Sequence, residues 1–178
     1  MLPGKSKSKG NSFENKIAKM LSLWLTDNQR QDVLERSPAS GGKATAHGKA
    51  GRNFQNIAGD IIAVAEEGMP LTNSFVIELK HQAETSLCVD NLIFQTAQNG
   101  VVAYWEKLLG ECQQYSKFPM LIFRQNSRPM LIALCQYGVH IFECGKLVHA
   151  IIRRPQRSMN IIHFDTFLKK VSHHKIPK

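Results

Sequence analysis

The apolar positions near the start of the chain recur every three or four residues, which is the spacing of one face of an α-helix. This pattern predicts a helix from Ser12, capped by Asn11 or Ser12, with Glu14 in the first turn, where the helix dipole favours a negative charge. Residues 1–10 are rich in Lys, Ser and Gly and are expected to form a flexible basic arm. The apolar stripe consists of Phe13, Ile17, Met20, Leu21, Trp24 and Leu25.

Two short apolar runs in the middle of the chain predict strands. Residues 61–65 are continuously apolar, as expected of a strand covered on both faces, and residues 75–80 (FVIELK) predict the next strand. The sequence between them, EEGMPLTN, predicts a turn, so the two strands are expected to form a hairpin or to be neighbours in a sheet. Residues 37–57 contain four glycines and no acid, which predicts a long flexible loop suited to binding phosphates.

The second half of the chain completes a predicted α/β domain. Residues 98–115 carry apolar positions at helical spacing, and residues 164–171 do so over a shorter stretch. No internal repeat or domain-scale linker is visible, so residues 11–178 are expected to form a single domain with a basic C-terminal segment. Three further short strands are predicted at residues 119–124, 129–135 and 138–143.

The charge of the chain points to a polyanionic partner. The 178 residues carry a net charge of +9, which is typical of proteins that bind nucleic acid or, less often, an anionic membrane; a charge that only aids solubility is the plain alternative. No apolar run approaches the length of a membrane span and no secretory signal is visible, so we expect a cytoplasmic protein, in a host cell or a virus-infected cell. The candidate DNA contacts from the arm, the loop and the C-terminal segment are Lys9, Lys43, Lys49, Arg52, Arg153 and Arg154.

The most informative residues are an acid and a base in the second predicted strand. Glu78 and Lys80 are two positions apart and should point to the same face, and Asp60 at the start of the preceding strand is expected to lie beside them. Two carboxylates suit a hard divalent cation such as Mg²⁺, which activates a bound water and neutralises charge on a phosphate. Lys80 would orient or deprotonate that water, or offset phosphate charge. The alternative is a structural Glu78–Lys80 pair at a sheet edge.

Three histidines in the C-terminal part were also considered as metal ligands. His163, His173 and His174 have no firm ligand spacing, so the sequence favours a surface role for them.

The acidic and basic positions also resemble a known family signature. Gly59-Asp60 followed by Ile77-Glu78-Leu79-Lys80 resembles the motif of the PD-(D/E)xK nucleases, with Gly59 at the position of the family's proline. Over about residues 9–134 the order of motifs is similar to that of archaeal-type Holliday-junction resolvases. The additional matching segments are Lys9-Gly10-Asn11-Ser12-Phe13-Glu14, Arg36-Ser37-Pro38-Ala39-Ser40-Gly41 and Pro119-Met120-Leu121-Ile122-Phe123.

This resemblance implies a fold, an activity and a set of site residues. The fold would be a restriction-endonuclease-like mixed β-sheet flanked by helices. The activity would be that of a Mg²⁺-dependent endodeoxyribonuclease, with Mn²⁺ able to substitute, acting as a homodimer on four-way DNA junctions. The alternatives are another PD-(D/E)xK endonuclease of the restriction, repair or branched-DNA type, or a non-catalytic nucleic-acid-binding protein with this fold.

The resemblance also implies a role for each site residue. Asp60, Glu78 and the Leu79 carbonyl would bind the metal, with Glu14 reaching it directly or through water. Lys80 would act on the attacking water. Arg36 and Ser40 would contact the DNA, with Ser40 at a phosphate near the cut.

Overall fold

The computed structural model describes residues 4–38, 58–82, 100–153 and 158–177, and only the backbone of residues 4–9. Most of the loop predicted at residues 37–57 therefore lies outside the described residues, as do Ser40, Lys43, Lys49 and Arg52.

The first helix is longer than its apolar stripe predicted. Helix α1 spans Gly4–Leu25, so part of the expected flexible arm is helical, and Glu14 lies in the middle of the helix instead of its first turn. The proposed interaction of Glu14 with the helix dipole is therefore wrong, because that effect is confined to the terminal turns. The helix ends where Asp27 and Asn28 adopt positive φ angles of 49° and 67°. The Asn28 amide closes the end by donating to the Leu23 carbonyl at 2.7 Å.

The segment that carries Asp60 does not form the expected hairpin. Strands β1 (Leu34–Arg36) and β2 (Ile61–Ala63) pair antiparallel in a separate two-stranded sheet. A 3₁₀ helix at Glu66–Gly68 and helix α2 (Met69–Ser74) replace the predicted turn. The proline in this segment lies in the first turn of α2, where its missing amide hydrogen costs no helical bond.

The central sheet has five strands in the order β3-β4-β5-β7-β6. The β3–β4 pair is parallel and the other three pairs are antiparallel, so the sheet is mixed, as expected. The C-terminal segment contributes β6 and β7, which the sequence analysis did not predict. The strands are β3 (Phe75–Gln82), β4 (Phe118–Gln125), β5 (Leu131–Leu134), β6 (Ala150–Ile152) and β7 (Met159–His163).

Helices cover both faces of this sheet. On one face, α3 (Val101–Tyr115) packs through Trp105 and Leu108 against Val76 and Leu121. On the other face lie α1, α4 (Gln136–Ile141) and α5 (Phe164–Lys170).

The helices of the second half correct one prediction and confirm two. The strand predicted at residues 138–143 is wrong, since most of that stretch is α4, and both longer helical predictions are confirmed by α3 and α5. Short 3₁₀ helices at Gly145–Leu147 and His173–Lys175 complete the described elements. Within the described ranges, none of the helices combines the length and hydropathy needed to cross a bilayer.

Candidate active site

Backbone hydrogen bonds hold Asp60 against the free edge of β3. Its amide donates to the Ile77 carbonyl at 2.8 Å, and its carbonyl accepts from the Ser37 amide at 2.7 Å. Its carboxylate oxygen Oδ2 accepts from the Leu79 amide at 2.8 Å. The side chain of Asp60 is thus fixed beside Glu78, although the two strands involved do not form a hairpin.

The residue before Asp60 has to be a glycine in this arrangement. Gly59 has φ +78°, and a Cβ atom there would lie 2.5 Å from the Ile77 carbonyl oxygen. Its amide donates to Oε1 of Glu111, on α3, at 3.0 Å. Proline would have the wrong φ and no hydrogen to donate, which explains the departure from the family signature at this position.

Glu78 and Lys80 lie on the same face of β3, as the two-residue period predicted. Lys80 Nζ donates to Glu78 Oε1, and the side chains of Lys80 and Glu78 are 26% and 15% exposed, so the pair is partly solvated. The ammonium also stands 5.4 Å from the centre of the Tyr104 ring, on α3. The basic side chain is therefore held between the acid and an aromatic face.

The electrostatic environment keeps Lys80 charged and resists the ionisation of Asp60. Burial alone lowers the pKa of Lys80, but the charge and hydrogen bond of Glu78 outweigh burial and leave the pKa raised. For Asp60, burial and then the Glu78 charge raise the pKa to about 7, against the opposing effects of the Leu79 hydrogen bond and Lys80. Glu14 is close enough to raise the pKa of Asp60 further. A cation at Asp60 would relieve this accumulation of negative charge.

Glu14 and Arg36 form an ion pair between α1 and β1. Arg36 Nε donates to Glu14 Oε2, and both side chains are largely buried. The charge of Glu14 acts on Asp60, and the contact of Glu14 with a metal stays a prediction. Arg36, a predicted DNA contact, has an acidic partner within the protein.

Of the remaining predicted DNA contacts, only Arg153 has a described side chain, and it does not lie at the active centre. Arg153 follows β6, which is the sheet edge opposite to β3, roughly 19 Å away for four strand spacings. Lys9 is helical but its side chain is not described, and Arg154 lies outside the described residues with the loop positions. These assignments stay predictions.

The side chains around Asp60 suit a hard divalent cation. Carboxylates are the preferred protein ligands of Mg²⁺, which commonly takes one or two of them and keeps several waters. The Leu79 carbonyl is expected on the same side of β3 as its amide, because both groups of a strand residue point to one edge. Among the described residues, however, Glu14, Asp60 and Glu78 do not bring three ligand atoms within 4.8 Å of one another. In this arrangement Glu14 is therefore not placed as a third direct ligand beside Asp60 and Glu78.

Two further residues shape this centre, and neither was predicted from the sequence. Glu111 fixes the Gly59 backbone, and Tyr104 faces Lys80 and also bonds to Gln82. Both lie on α3 among ordinary helical positions; Tyr104 is 22 residues from Gln82 and Glu111 is 52 residues from Gly59, so no local pattern marks them.

A mixed sheet whose edge strand presents Glu78 and Lys80 beside a fixed aspartate has the architecture of a PD-(D/E)xK nuclease. The family model described as "Phage putative PDDEXK endonuclease" matches residues 5–176, and the chain belongs to this family. The fold is accordingly restriction-endonuclease-like. The match includes the C-terminal segment beyond residue 134, where the resemblance to junction resolvases ended. No curated protein and no solved structure matches the chain.

Proposed function

We propose that this protein is a Mg²⁺-dependent DNA endonuclease whose metal is held by Asp60, Glu78 and the Leu79 carbonyl. The observation that carries the proposal is the position of Asp60, fixed on the edge of β3 by Ile77 and Leu79 beside the Glu78–Lys80 pair. If Glu78 and Lys80 formed only a structural ion pair, the fold would have no need of the Asp60 carboxylate beside them, since burying another acid is costly. Membership of an endonuclease family agrees with a hydrolytic role.

The divalent cation would lower the pKa of a bound water and offset negative charge on the phosphate. Lys80 would serve as a cation and hydrogen-bond donor that positions this water or the phosphate, since its raised pKa disfavours a role as proton acceptor. Glu14, balanced by Arg36, would act through a water molecule. We expect Mn²⁺ to replace Mg²⁺, because both accept oxygen ligands.

The proposed DNA contacts outside the metal centre rest on the sequence. Ser40 would contact a phosphate near the cut, and Lys43, Lys49 and Arg52 would extend the contact along the backbone. Lys9, Arg153 and Arg154 would add to nonspecific attraction.

The substrate that the resemblance favours is a four-way DNA junction. This finer proposal is supported by the order of motifs over about residues 9–134. It requires a symmetric homodimer, because a junction is resolved by paired nicks in two strands of like polarity. A linear, flapped or otherwise branched substrate is the alternative within the same family.

Cleavage assays on matched substrates test two statements: that the protein is a metal-dependent endonuclease, and which DNA structure it cuts. Duplex, flap, single-stranded and four-way-junction DNA would be incubated with the protein and Mg²⁺, Mn²⁺ or EDTA, with Asp60→Asn as the inactive control. Metal-dependent nicking that the control lacks supports the endonuclease. If the protein binds these DNAs and cuts none with either metal, it is a non-catalytic binding protein instead.

Junction preference is measured separately, with the inactive Asp60→Asn protein bound to a labelled junction. Unlabelled junction should displace the label at a far lower mass than unlabelled duplex. Equal displacement by both would reject the junction substrate and leave the general endonuclease intact.

A further inference from the structure

A second group of metal-ligating side chains lies outside the candidate active site. Asp27 follows the end of α1, and His173 and His174 begin the C-terminal 3₁₀ helix. Their ligand atoms all lie within 4.8 Å of one another, and no other trio in the described part of the chain meets this spacing. His173 Nδ1 and His174 Nε2 are each 3.9 Å from an oxygen of Asp27.

The backbone on the α1 side of this group is fixed. The positive φ angles of Asp27 and Asn28 turn the chain back, and the Asn28 and Gln29 amides donate to Leu23 and Thr26 carbonyls. Asp27 therefore projects from a hydrogen-bonded turn and not from a loosely held loop.

The backbone on the C-terminal side is equally well held. Trp24 Nε1 donates to the Val171 carbonyl at 2.9 Å, a contact between residues 147 positions apart. The Trp24 ring also packs edge-on against His173 at 5.8 Å. The Ser172 hydroxyl accepts from the His174 amide at 3.3 Å and caps the 3₁₀ helix. Two ordered segments thus present the three side chains to each other.

We propose that Asp27, His173 and His174 form a binding site for a transition-metal ion of the Zn²⁺ type. Two imidazoles and one carboxylate are a common donor set for Zn²⁺, with water in the fourth position. Imidazole is a poor ligand for Mg²⁺, so the site would be distinct in selectivity from the carboxylate centre at Asp60.

The required adjustment of the side chains is small. Tetrahedral Zn²⁺ with ligands at about 2.0–2.1 Å places its ligand atoms about 3.4 Å apart. The two 3.9 Å separations must therefore shorten by roughly 0.5 Å, and any other by at most about 1.4 Å, since all lie within 4.8 Å. Asp27 and His174 are 68% and 72% exposed and free to make this movement, while the more buried His173 (14% exposed) stays in place. Asp27 and His173 also line a surface cavity of about 630 Å³, which leaves room for a hydrated ion and its water ligand.

Binding at this site would join the end of α1 to the C-terminal segment of the fold. An ion bound only by the folded protein stabilises it by mass action. At a hundredfold excess of Zn²⁺ over its dissociation constant, the midpoint of thermal unfolding should rise by roughly 5–10 °C for a chain of this length.

Calorimetric titration of ZnCl₂ into full-length, tag-free Asp60→Asn protein tests the proposal, because this background weakens the carboxylate centre. We expect one equivalent of Zn²⁺ to bind, no heat from MgCl₂, and at least tenfold weaker Zn²⁺ binding in the Asp27→Asn/His174→Gln double variant. Asn keeps the positive φ angle accessible, and both positions are exposed, so the double variant should fold.

Two control variants complete the experiment. His140→Gln removes an exposed histidine outside the trio, and His149→Gln disrupts the His149–His163 ring contact, the other close histidine pair in the described ranges. Both should retain the affinity and the thermal shift. Undiminished binding in the double variant, loss of binding in either control, or no Zn²⁺ binding to the parent would each overturn the proposal.

Discussion

The backbone amide of Gly59 donates a hydrogen bond to the carboxylate of Glu111, with 3.0 Å between the nitrogen and Oε1. This bond ties the residue before Asp60 to helix α3, on the face of the sheet where Tyr104 approaches Lys80. The position of the candidate metal-binding aspartate therefore depends on a helix that follows it by some 40 residues, as well as on β3.

Gly59→Ala should lower cleavage by on the order of 10²-fold, because the new Cβ would meet the Ile77 carbonyl and displace Asp60. The matched control is Gly110→Ala, where a Cβ meets nothing within 4 Å and the helical backbone favours alanine. Single-turnover rates and urea unfolding of both variants check this. Equal activity in the two variants would show that close packing at Gly59 does not position the site.

Asp60→Asn or Glu78→Gln should abolish cleavage while DNA binding persists or strengthens. Either change removes a metal ligand, and it also relieves the repulsion between a carboxylate and the phosphates. Glu35→Gln, an exposed carboxylate on β1, is the control and should cut normally. The measurements are nicking with Mg²⁺ and DNA affinity in EDTA, and wild-type cleavage rates in both variants would end the assignment of the metal site.

Lys80→Ala should slow the chemical step by on the order of 10²-fold or more, as expected for a group that positions a proton or a charge in the transition state. The fold should survive, since the side chain is partly exposed to solvent. Lys107→Ala, an exposed lysine on α3, controls for a general loss of positive charge. Circular dichroism and single-turnover rates separate the outcomes, and an unfolded Lys80→Ala protein would favour a structural ion pair with Glu78.

The stability of the metal-free protein should fall between about pH 4 and pH 7 through the ionisation of Asp60. Its pKa is about 7 in the folded protein and near 3.8 without burial, so the folded state keeps a proton that the unfolded chain loses across this range. The contribution is present in full well below pH 4 and is lost as pH rises through 7, a change on the order of 4 kcal/mol.

Asp60→Asn should lack this part of the pH dependence, because asparagine does not titrate. Urea unfolding in EDTA at pH 5 and pH 8, compared between wild type and Asp60→Asn, measures the difference. Parallel pH profiles for the two proteins would mean that the pKa of Asp60 is not raised.

Neutralising Lys43, Lys49 and Arg52 together should weaken binding to all DNA sequences alike. Each lost phosphate contact should reduce the slope of log affinity against log salt concentration by about 0.9 on duplex DNA. Lys16→Gln/Lys19→Gln/Lys107→Gln, which removes three charges from helices, is the control for net charge. Fluorescence anisotropy at several salt concentrations gives the slopes. A triple loop variant with the wild-type slope would remove residues 37–57 from the DNA contact.

The sequence alone determined the features that depend on local spacing. The two-residue period of a strand placed Glu78 and Lys80 on one face, and the helical period of the apolar residues predicted most of α1, α3 and α5. The prediction from local spacing was wrong where the same apolar pattern is compatible with both a strand and a helix. Residues 138–143 have apolar positions compatible with either a strand or a short helix, and the hydrogen bonds of Cys135 and Gly138 at the ends of α4 decided for the helix.

Only the tertiary structure decided which distant residues meet. Asp60 is bonded to β3 beside Glu78, and the segment between them contains helix α2 where the sequence predicted a turn. Glu111 accepts a hydrogen bond from Gly59, although the two residues are 52 positions apart. Asp27 and His173 are joined in the same way, through the packing of Trp24 against the end of the chain. Such contacts follow from how the layers pack over one core, and no periodicity within a single segment records that packing.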